Sequence, residues 1–581
     1  MLEFGFLDIA IVVVFLFFSI FSSYFLTRKK QKTLKEHFQS TGKLSWFISG
    51  TGMVATTFAA DTPLAVTELV YESGIAGNWV WWYGAIGSII TVYIFAPLWK
   101  RTGVTTDVAF IHLRYSGIGA DILRIARSVY LGLFLNVLIM AWVNLAIFKI
   151  ISVLFPAISA EWFVSALFFL AFLYTSLMGL SGISYADTFQ FFFAMLGCIA
   201  LAIVVLQVPE VGGIAGIKEK IAASKLSFIP NFSPTGQEKG MPFGDFLVLV
   251  LVVWWASWYP GAEPGGGGYI AQRILAAKDE RSSTLATLWF TIAHYFIRPW
   301  PWILVALASL ILFPALAKAD RGKSYIMTLQ YNSYPGINGI LLATFIAAYL
   351  STIATHLNWG ASYLVNDLYK PYLVKEKDDR HYLNISVVCQ LVMMLFSLLC
   401  TFYLLDSISG VWKFLISGSA GVGFILLARW FYWRINAWAE IAAFILPLCF
   451  YAIGVYVFSW KSGSYQIILF CTFLTVFATL CISFFTQPTQ REVLSNFYKQ
   501  VKPPGLLWQS WAKRNNVPNI TSPDFLSKSL GLSALGIVLV ISGLFMLGYL
   551  IFAEWQAFAI SAGLFVLSAG LTYKFFPAKK D

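Results

Sequence analysis

The chain contains about fifteen apolar runs, each near the ~20 residues that an α-helix needs to cross the hydrocarbon core of a bilayer. Only 12% of its 581 residues are charged, against roughly 25% in a soluble domain. Because no water reaches backbone groups in lipid, such spans must be helices that satisfy their own hydrogen bonds. The sequence therefore predicts an all-α polytopic membrane protein. The predicted helices cover residues 5–27, 44–70, 78–100, 122–152, 161–180, 184–208, 244–275, 284–314, 336–368, 382–405, 409–432, 437–459, 464–486, 529–552 and 556–576.

Basic residues indicate how these helices are oriented. The first apolar run is followed by Arg28, Lys29 and Lys30 and is too long for the core of a signal peptide, so we expect a retained first helix. Lys and Arg are concentrated in the loops that lie inside when the amino terminus is outside. We therefore expect a protein of the plasma (inner) membrane with an outer amino terminus and a cytoplasmic carboxyl terminus. The net charge of +12 is then a topology signal and requires no nucleic-acid partner.

Two of the predicted helices cannot be continuous. Residues 54–68 read VATTFAADTPLAVTE, with Asp61 and Pro63 in mid-span, and residues 254–269 read WWASWYPGAEPGGGGY. Proline removes an amide donor and clashes with the preceding turn, and consecutive glycines do not favour a helix. One such break alone can be a packing kink. Two breaks about 200 residues apart, each opening a run of five helices, are typical of transporters built as inverted repeats with a binding site at the midplane.

The breaks define two five-helix units, residues 44–208 and 244–432. The flanking segments are a leading helix with a basic inner loop (1–43), an outer loop (209–243), two additional helices (433–486), a cytoplasmic loop (487–528) and two carboxyl-terminal helices (529–581). Apolar residues lie among basic ones in the cytoplasmic loop, which is typical of an amphipathic element on the membrane surface. They are Val493, Leu494, Phe497, Trp508 and Trp511.

A stripe of polar side chains crosses the apolar segment 344–371. Its members recur at the three-to-four spacing that puts side chains on one helical face. An unpartnered hydroxyl or amide in hydrocarbon costs ~2 kcal/mol or more, so this face must meet a bundle, a cavity or an ion site. The alternative is that the hydroxyls only bond carbonyls of the preceding turn. The stripe consists of Ser351, Thr352, Thr355, Asn358 or Trp359, Ser362 and Asn366.

Four segments carry a family resemblance. They read SLMGLSGISYADTFQ (176–190), YIAQRILAAKDE (269–280), STIATHLNWGASYLVNDLYKPYL (351–373) and RWFYWRINAWAEI (429–441). In the same order, they are similar to the Gly-rich Thr-Asp motif, the Gln-Arg-x-Leu-Ala-Ala-Lys segment, the Ser-rich helix and the Phe-Trp-Lys-Arg-x-Asn segment of the sodium:solute symporter (SSS) family. The chain resembles that family over roughly residues 5–460. The resemblance implies a LeuT-like fold, a 5+5 inverted repeat with broken first and sixth core helices, and solute uptake coupled to sodium.

The resemblance also implies a sodium site. Its ligands would be the carbonyl oxygens of Ala55 and Phe58 in the first broken helix, the carbonyl of Ala348, and the hydroxyls of Ser351 and Thr352. Sodium is a hard cation that prefers oxygen ligands, and a broken helix offers carbonyls that have no intrahelical donor. All five positions can supply the oxygen required.

Some members of the family bind a second sodium ion. For this site, Asp187 and Thr355 match here, whereas Ala354 stands where a further Ser would be expected. The alternative role for Asp187 is that of a carboxylate held by neighbouring hydroxyls or by a basic side chain.

The substrate pocket departs from that of the sugar-transporting relatives. They carry Gln, Glu, Asn and Lys where this sequence has Thr62, Trp81, Pro260 and His294. Most groups that would address sugar hydroxyls are therefore absent, and a buried donor left unpaired would oppose binding. Aromatic residues are the candidate lining, with an interfacial aromatic girdle as the alternative. They are Trp81, Trp82, Trp254, Trp255, Trp258 and Tyr259.

His294 and Arg298 are four residues apart and share a helical face, with Arg298 near mid-membrane. An arginine at this depth needs a partner or an aqueous cavity, and Asp61 is the first choice of partner and Glu263 the second. The charges can form a structural ion pair, or the positive groups can receive the carboxylate of a substrate, helped by the amino-terminal ends of half-helices. The candidate substrate-binding residues are Thr57, Asp61, Thr62, Trp81, Trp82, Trp255, Trp258, Tyr259, Glu263, His294 and Arg298.

Together these features predict a secondary active transporter that imports a small organic solute with sodium by alternating access, an amino acid or a monocarboxylate being favoured. The alternatives are a sodium-coupled sugar or polyol symporter, a proton-coupled carrier that uses Asp61, Asp187 or Glu263, and a membrane-embedded sensor. No nucleophile–base arrangement, pair of carboxylates or cofactor motif indicates an enzyme. The expected partners are the solute, sodium and the lipid bilayer, and a monomer is compatible with the sequence.

Overall fold

The computed structural model describes residues 4–27, 33–40, 44–230, 241–257, 265–332, 334–405, 414–518, 520 and 525–576. Its named regular elements are all helices, as the sequence predicts. The principal helices are α1 (Phe6–Thr27), α2 (Trp46–Thr57), α3 (Thr62–Ser73), α4 (Ile75–Thr102), α5 (Ile118–Leu154), α6 (Ala160–Leu206), α7 (Phe243–Ala256), α8 (Gly268–Ala276), α9 (Glu280–Leu312), α10 (Ile337–Leu373), α11 (Asp379–Tyr403), α12 (Val422–Phe431), α13 (Ala437–Tyr456), α14 (Tyr465–Phe485), α15 (Arg491–Val501), α16 (Leu506–Arg514), α17 (Phe525–Ile551) and α18 (Trp555–Phe575).

Ten helices within the described ranges are long and apolar enough to cross a membrane, so the count of about fifteen crossings stays a prediction. Part of the difference lies in α6, whose 47 residues correspond to about 70 Å of helix, roughly twice the hydrocarbon thickness. α6 bends at Gly179, which has φ 52° and ψ −169°. Glycine adopts this left-handed φ without steric cost. The predicted helices 161–180 and 184–208 are thus the two arms of α6.

The first predicted break lies between α2 and α3. α2 ends at Thr57, and α3 begins at Thr62 with Pro63 in its first turn. Proline is tolerated there because the first amides of a helix have no intrahelical acceptor. Since the chain between Thr57 and Thr62 does not continue the helix, the last carbonyls of α2 are available to other partners.

The second predicted break lies between α7 and α8, where residues 258–264 are outside the described part of the chain. Gly265 and Gly266, just before α8, have φ values of 84° and 72°. Thr91 leaves no room for a side chain at Gly266, because its methyl carbon would lie 2.7 Å from a Cβ atom built there. The glycines of the run 265–268 therefore serve both the backbone turn and the close approach of α4.

π-helical turns occur in the second and third helices of both five-helix units. They are Thr91–Phe95 in α4, Tyr130–Leu135 in α5, Ala293–Ile297 in α9 and Leu364–Leu373 at the end of α10. Such turns are often found at functional sites because they change the direction of the side chains that follow. The turn in α9 contains His294 and immediately precedes Arg298.

The apolar side chains of α15 and α16 pack against the rest of the protein. Phe497 and Trp508 are fully buried, and the Trp508 indole donates to the carbonyl of Trp430 at 2.8 Å. The guanidinium of Arg114 lies over the rings of both Phe497 and Trp508. The prediction of a membrane-surface element is wrong for these side chains, because the protein itself covers their apolar face.

A buried ion network joins four helices at the same end of the molecule as α15 and α16. Glu440, in the first turn of α13, accepts hydrogen bonds from Arg127 at 2.8 Å and from Arg429 at 3.1 Å. Asp367, near the end of α10, pairs with Arg124 at 2.8 Å. These charge-assisted bonds connect α5, α10, α12 and α13.

Candidate functional site

Thr352 joins α10 to the carboxyl-terminal end of α2. Its hydroxyl lies 3.0 Å from the carbonyl oxygen of Thr56 and 3.0 Å from that of Ala348. The neighbouring carbonyl of Ala55 accepts from the amide of Phe58 at 3.1 Å. The structure thus brings the Thr352 hydroxyl and the Ala348 carbonyl to the Thr56 carbonyl at the broken end of α2 in an oxygen cluster, and oxygen is the donor type that sodium prefers. The expectation that the Ala55 carbonyl lacks a donor is wrong, because the amide of Phe58 donates to it.

Ser351, next to Thr352 on α10, contacts Asp187 on the second arm of α6. Its hydroxyl donates to Oδ1 of Asp187 at 2.6 Å, and Nη2 of Arg273 donates to Oδ2 at 2.7 Å. The same Nη2 atom lies 2.8 Å from the hydroxyl of Thr355. A fixed positive charge therefore lies between Asp187 and Thr355, the two residues considered for a second sodium ion. A basic side chain holds Asp187, which is the alternative that the sequence left open.

The sequence pattern did not indicate Arg273 as a site residue, although Arg273 lies in the segment 269–280, which carries part of the family resemblance. It projects from α8, and its guanidinium also donates to the hydroxyls of Ser184 at 2.8 Å and Thr56 at 3.2 Å. Gly52 provides space for it, because a Cβ atom there would lie 2.5 Å from Nη1. An arginine one helical turn after a broken segment was the available signal, since a charge at that depth requires a buried partner.

A cavity of ≈ 180 Å³ adjoins the oxygen cluster. Thr56 and Thr352 line it, so the cluster and the cavity share residues. The wall also contains six of the candidate substrate-binding residues and one further tryptophan from the predicted aromatic lining. These seven are Thr57, Asp61, Thr62, Trp81, His294, Arg298 and Trp254.

Two of the predicted aromatic residues lie outside the cavity wall. Trp82 is fully buried and packs edge-on against Trp79. The Trp255 indole donates to the carbonyl of Leu251 within α7. Adjacent residues of a helix point about 100° apart, so only one member of each tryptophan pair faces the cavity. The remaining predicted residues of this region lie outside the described part of the chain; they are Trp258, Tyr259, Pro260 and Glu263.

Arg298 has no carboxylate oxygen within 4.0 Å among the described residues. Its Nη1 atom donates to the hydroxyl of Thr57 at 3.1 Å, and its Nη2 atom lies 3.4 Å from Nε2 of His294. The expected ion pair with Asp61 is therefore not formed, and Glu263 lies outside the described residues. The carboxyl-terminal end of α2 explains the difference, because its carbonyls carry partial negative charge that attracts a cation.

The sequence did not identify several other residues of the cavity wall. The Trp81 ring stacks on Tyr295 with centroids 6.0 Å apart, and Tyr269 and His356 form another part of the wall. Tyr295 directly follows His294 in the π turn of α9, and no sequence spacing indicated that both neighbours line the wall. Tyr269 and His356 could not be placed from local spacing, because they come from two different helices, α8 and α10.

Comparisons with known proteins indicate the family of the chain. The model of the Sodium:solute symporter family matches residues 37–445. The chain is 24% identical to a sodium/glucose cotransporter of Vibrio parahaemolyticus, over 68% of this chain and 74% of that protein. It is 23% identical to sodium/myo-inositol cotransporter 2 of Homo sapiens, over 68% of this chain and 60% of that protein.

Solved structures show the fold. A sodium-coupled sialic acid symporter in a substrate-bound outward-open state superimposes with a TM-score of 0.67 at 18% identity, over 84% of this chain and 99% of that chain. A nucleobase-cation-symport-1 family transporter in a closed conformation gives a TM-score of 0.50 at 13% identity, over 79% of this chain and 97% of that chain. The chain therefore has the LeuT-like architecture that the broken helices indicated.

The relatives are transporters and not enzymes, and sodium appears in their names. The family model covers more than half of this chain, including both broken helices and the oxygen cluster of α2 and α10. The chain is thus a multi-pass membrane protein that belongs to the sodium:solute symporter family.

Proposed function

We propose that this symporter imports a small organic solute carrying a carboxylate, together with sodium, by alternating access. An amino acid or a monocarboxylate fits this description. The solute would bind in the cavity between the broken helices, and sodium would bind at the adjoining oxygens of Ala55, Phe58, Ala348, Ser351 and Thr352.

The observation that carries the proposal is the state of Arg298. Its side chain is buried, lines the cavity and has no carboxylate partner among the described residues. A buried charge that makes no direct ion pair is costly, so a ligand that supplies a carboxylate would bind with charge-assisted hydrogen bonds at this point. His294 and Thr57, which contact the same guanidinium, would hold it in position.

The shared residues of the two sites support coupling. Thr352 touches the carbonyls of Thr56 and Ala348 on one side and lines the cavity on the other. Sodium bound by Thr352 would fix α10 against the end of α2, from which Thr57 faces the solute. Binding of either partner would therefore favour binding of the other, as reciprocal linkage requires.

Transport of a sugar or polyol is the second candidate, and the names of the glucose and myo-inositol relatives favour it. The cavity wall argues for the first candidate. It contains the buried cation Arg298, which a neutral sugar or polyol would leave without an ion-pair partner and a carboxylate would pair with.

A ligand screen by thermal stability tests the proposal. The purified full chain would be mixed with amino acids, monocarboxylates, sugars and polyols, in sodium chloride and in choline chloride. We expect stabilisation by a carboxylate-bearing solute, and a larger shift with sodium, because ligand and ion bind the same folded state. Stabilisation by neutral sugars alone would reject the carboxylate.

Arg298→Gln supplies the matching variant. We expect it to weaken binding of the carboxylate solute by about tenfold to a hundredfold, the equivalent of a lost hydrogen bond between charged groups. Arg281→Gln is the control, since Arg281 lies exposed in the first turn of the same helix, α9. Equal loss in both variants would show that the effect does not come from the cavity.

A further inference from the structure

We infer that the solute carries a cationic amine as well as its carboxylate, and that Asp61 receives the amine. The substrate would then be an amino acid and not a simple monocarboxylate. The inference rests on the proposed function, because it assigns the carboxylate of the same solute to Arg298.

Asp61 is a buried carboxylate directed into the cavity wall. It is 2% exposed, lines the cavity, and its Oδ1 atom has no hydrogen-bond partner in the part of the chain that the structure describes. Although Asp61 precedes α3, its side chain makes no capping hydrogen bond to that helix. The local structure therefore leaves a negatively charged hydrogen-bond acceptor, the Asp61 carboxylate, in the cavity wall.

Arg298 forms no direct ion pair with Asp61. No ion pair joins them within 4.0 Å, and the guanidinium is turned towards Thr57 and His294. Two opposite charges thus face one cavity of ≈ 180 Å³ without meeting each other. A ligand that carries both an amine and a carboxylate would form an ion pair with Asp61 and another with Arg298. A plain monocarboxylate would satisfy Arg298 and leave Asp61 buried without a counter-charge, which costs free energy and repels the ligand's own carboxylate.

His356 is a second acceptor in the cavity wall, and Asn136 sets the orientation of its ring. Nδ2 of Asn136 donates to the backbone carbonyl of His356 at 2.8 Å, which fixes the orientation of the amide. Oδ1 of Asn136 must then accept from Nδ1 of His356, at 2.5 Å. In the neutral ring the other nitrogen, Nε2, carries a lone pair. Since His356 lines the cavity, this arrangement favours a ligand with N–H donors.

A proton carrier is the competing role for Asp61. Such a group would titrate during transport but would not distinguish an amine-bearing solute from the same solute without its amine. Selectivity for the amine is therefore the readout that separates the two roles.

The test compares each common α-amino acid with the carboxylate that lacks its amino group, for example leucine with 4-methylpentanoate and phenylalanine with 3-phenylpropanoate. Thermal shifts of the purified full chain would be measured in sodium chloride and in choline chloride. We expect an amino acid to stabilise the protein in sodium while its partner carboxylate binds about tenfold to a hundredfold more weakly, as loss of a charged hydrogen bond predicts. Asp61→Asn should narrow that difference, and Asp245→Asn, at a carboxylate outside the cavity wall, should retain it.

Equal stabilisation by both members of a pair, unchanged in Asp61→Asn, would overturn the inference and leave the proposed function standing. A variant that keeps amine selectivity but loses the pH dependence of uptake would assign Asp61 to proton transfer and also overturn it. Stabilisation by uncharged solutes alone would reject the proposed function together with the inference. The comparison within the wild-type chain decides the matter even if Asp61→Asn fails to fold.

Discussion

Nη2 of Arg273 lies 2.7 Å from Oδ2 of Asp187, and both side chains are fully buried. The pair connects α8, which follows the second break, to the second arm of α6. Ser351 donates to the other carboxylate oxygen, so the pair is also linked to the residues proposed to bind sodium. The broken helix α8 and the oxygen cluster are therefore parts of one hydrogen-bonded network.

Breaking this pair should destabilise the protein. Arg273→Gln leaves the buried Asp187 without its counter-charge, and loss of one member of a buried pair costs about 3–5 kcal/mol. The double variant Arg273→Gln with Asp187→Asn should lose less than the sum of the two single variants, because no charge is then left unpaired. Unfolding measured for the four proteins of this cycle tests the expectation. Additive losses would show that the two groups do not depend on each other.

Removal of a hydroxyl from the oxygen cluster should raise the sodium concentration needed for transport. We expect Ser351→Ala and Thr352→Ala each to shift half-maximal sodium by about tenfold, the effect of losing one good polar ligand. Uptake measured across sodium concentrations gives the shift. Thr344→Val is the matched control, since Thr344 lies buried on the same helix and its hydroxyl has no partner in the described ranges. Normal sodium dependence in both alanine variants would show that sodium does not bind at Ser351 and Thr352.

Glu440 should contribute to stability and not to sodium binding. Glu440→Gln leaves Arg127 and Arg429 buried beside a neutral group, which we expect to cost about 3 kcal/mol or more. Thermal unfolding of the purified variant measures the effect. Glu492→Gln, at an exposed carboxylate in the first turn of α15, should unfold as the wild type does. A wild-type unfolding temperature for Glu440→Gln would contradict the importance of the ion network.

The orientation of the chain can be tested with single cysteines in a variant that lacks the six natural ones. Ala157 is exposed between α5 and the first arm of α6, on the side expected outside, and Lys513 is exposed on α16 at the side expected inside. We expect a membrane-impermeant maleimide to label Ala157→Cys in intact cells and Lys513→Cys only after permeabilisation. The reverse pattern would place the amino terminus inside.

Local sequence rules were sufficient to predict the two helix breaks and many of the residues that line the cavity. Proline and glycine placed the ends of α2 and α8, and helical spacing brought Ser351, Thr352 and Thr355 to one side of α10. The same spacing rule indicates that Trp81 and Trp82 have different surroundings, because neighbouring side chains of an α-helix point about 100° apart.

Charge pairing could not be derived in this way. The partner of Arg298 depends on how α9 sits against α2, and the structure turns its guanidinium to Thr57 and His294 instead of Asp61. Arg273 and Asp187 likewise meet only after α8 packs against α6. Such long-range pairs are set by tertiary packing, which the spacing of residues along one helix does not contain.

Sodium-driven uptake into proteoliposomes tests the central claim most directly. The radiolabelled carboxylate solute that stabilises the purified protein would be supplied outside, with an inward sodium gradient. We expect accumulation that requires the gradient, collapses with a sodium ionophore and is lost in Arg298→Gln. Equal accumulation in choline chloride, or accumulation that survives the sodium ionophore and collapses with a proton uncoupler, would contradict sodium-coupled symport.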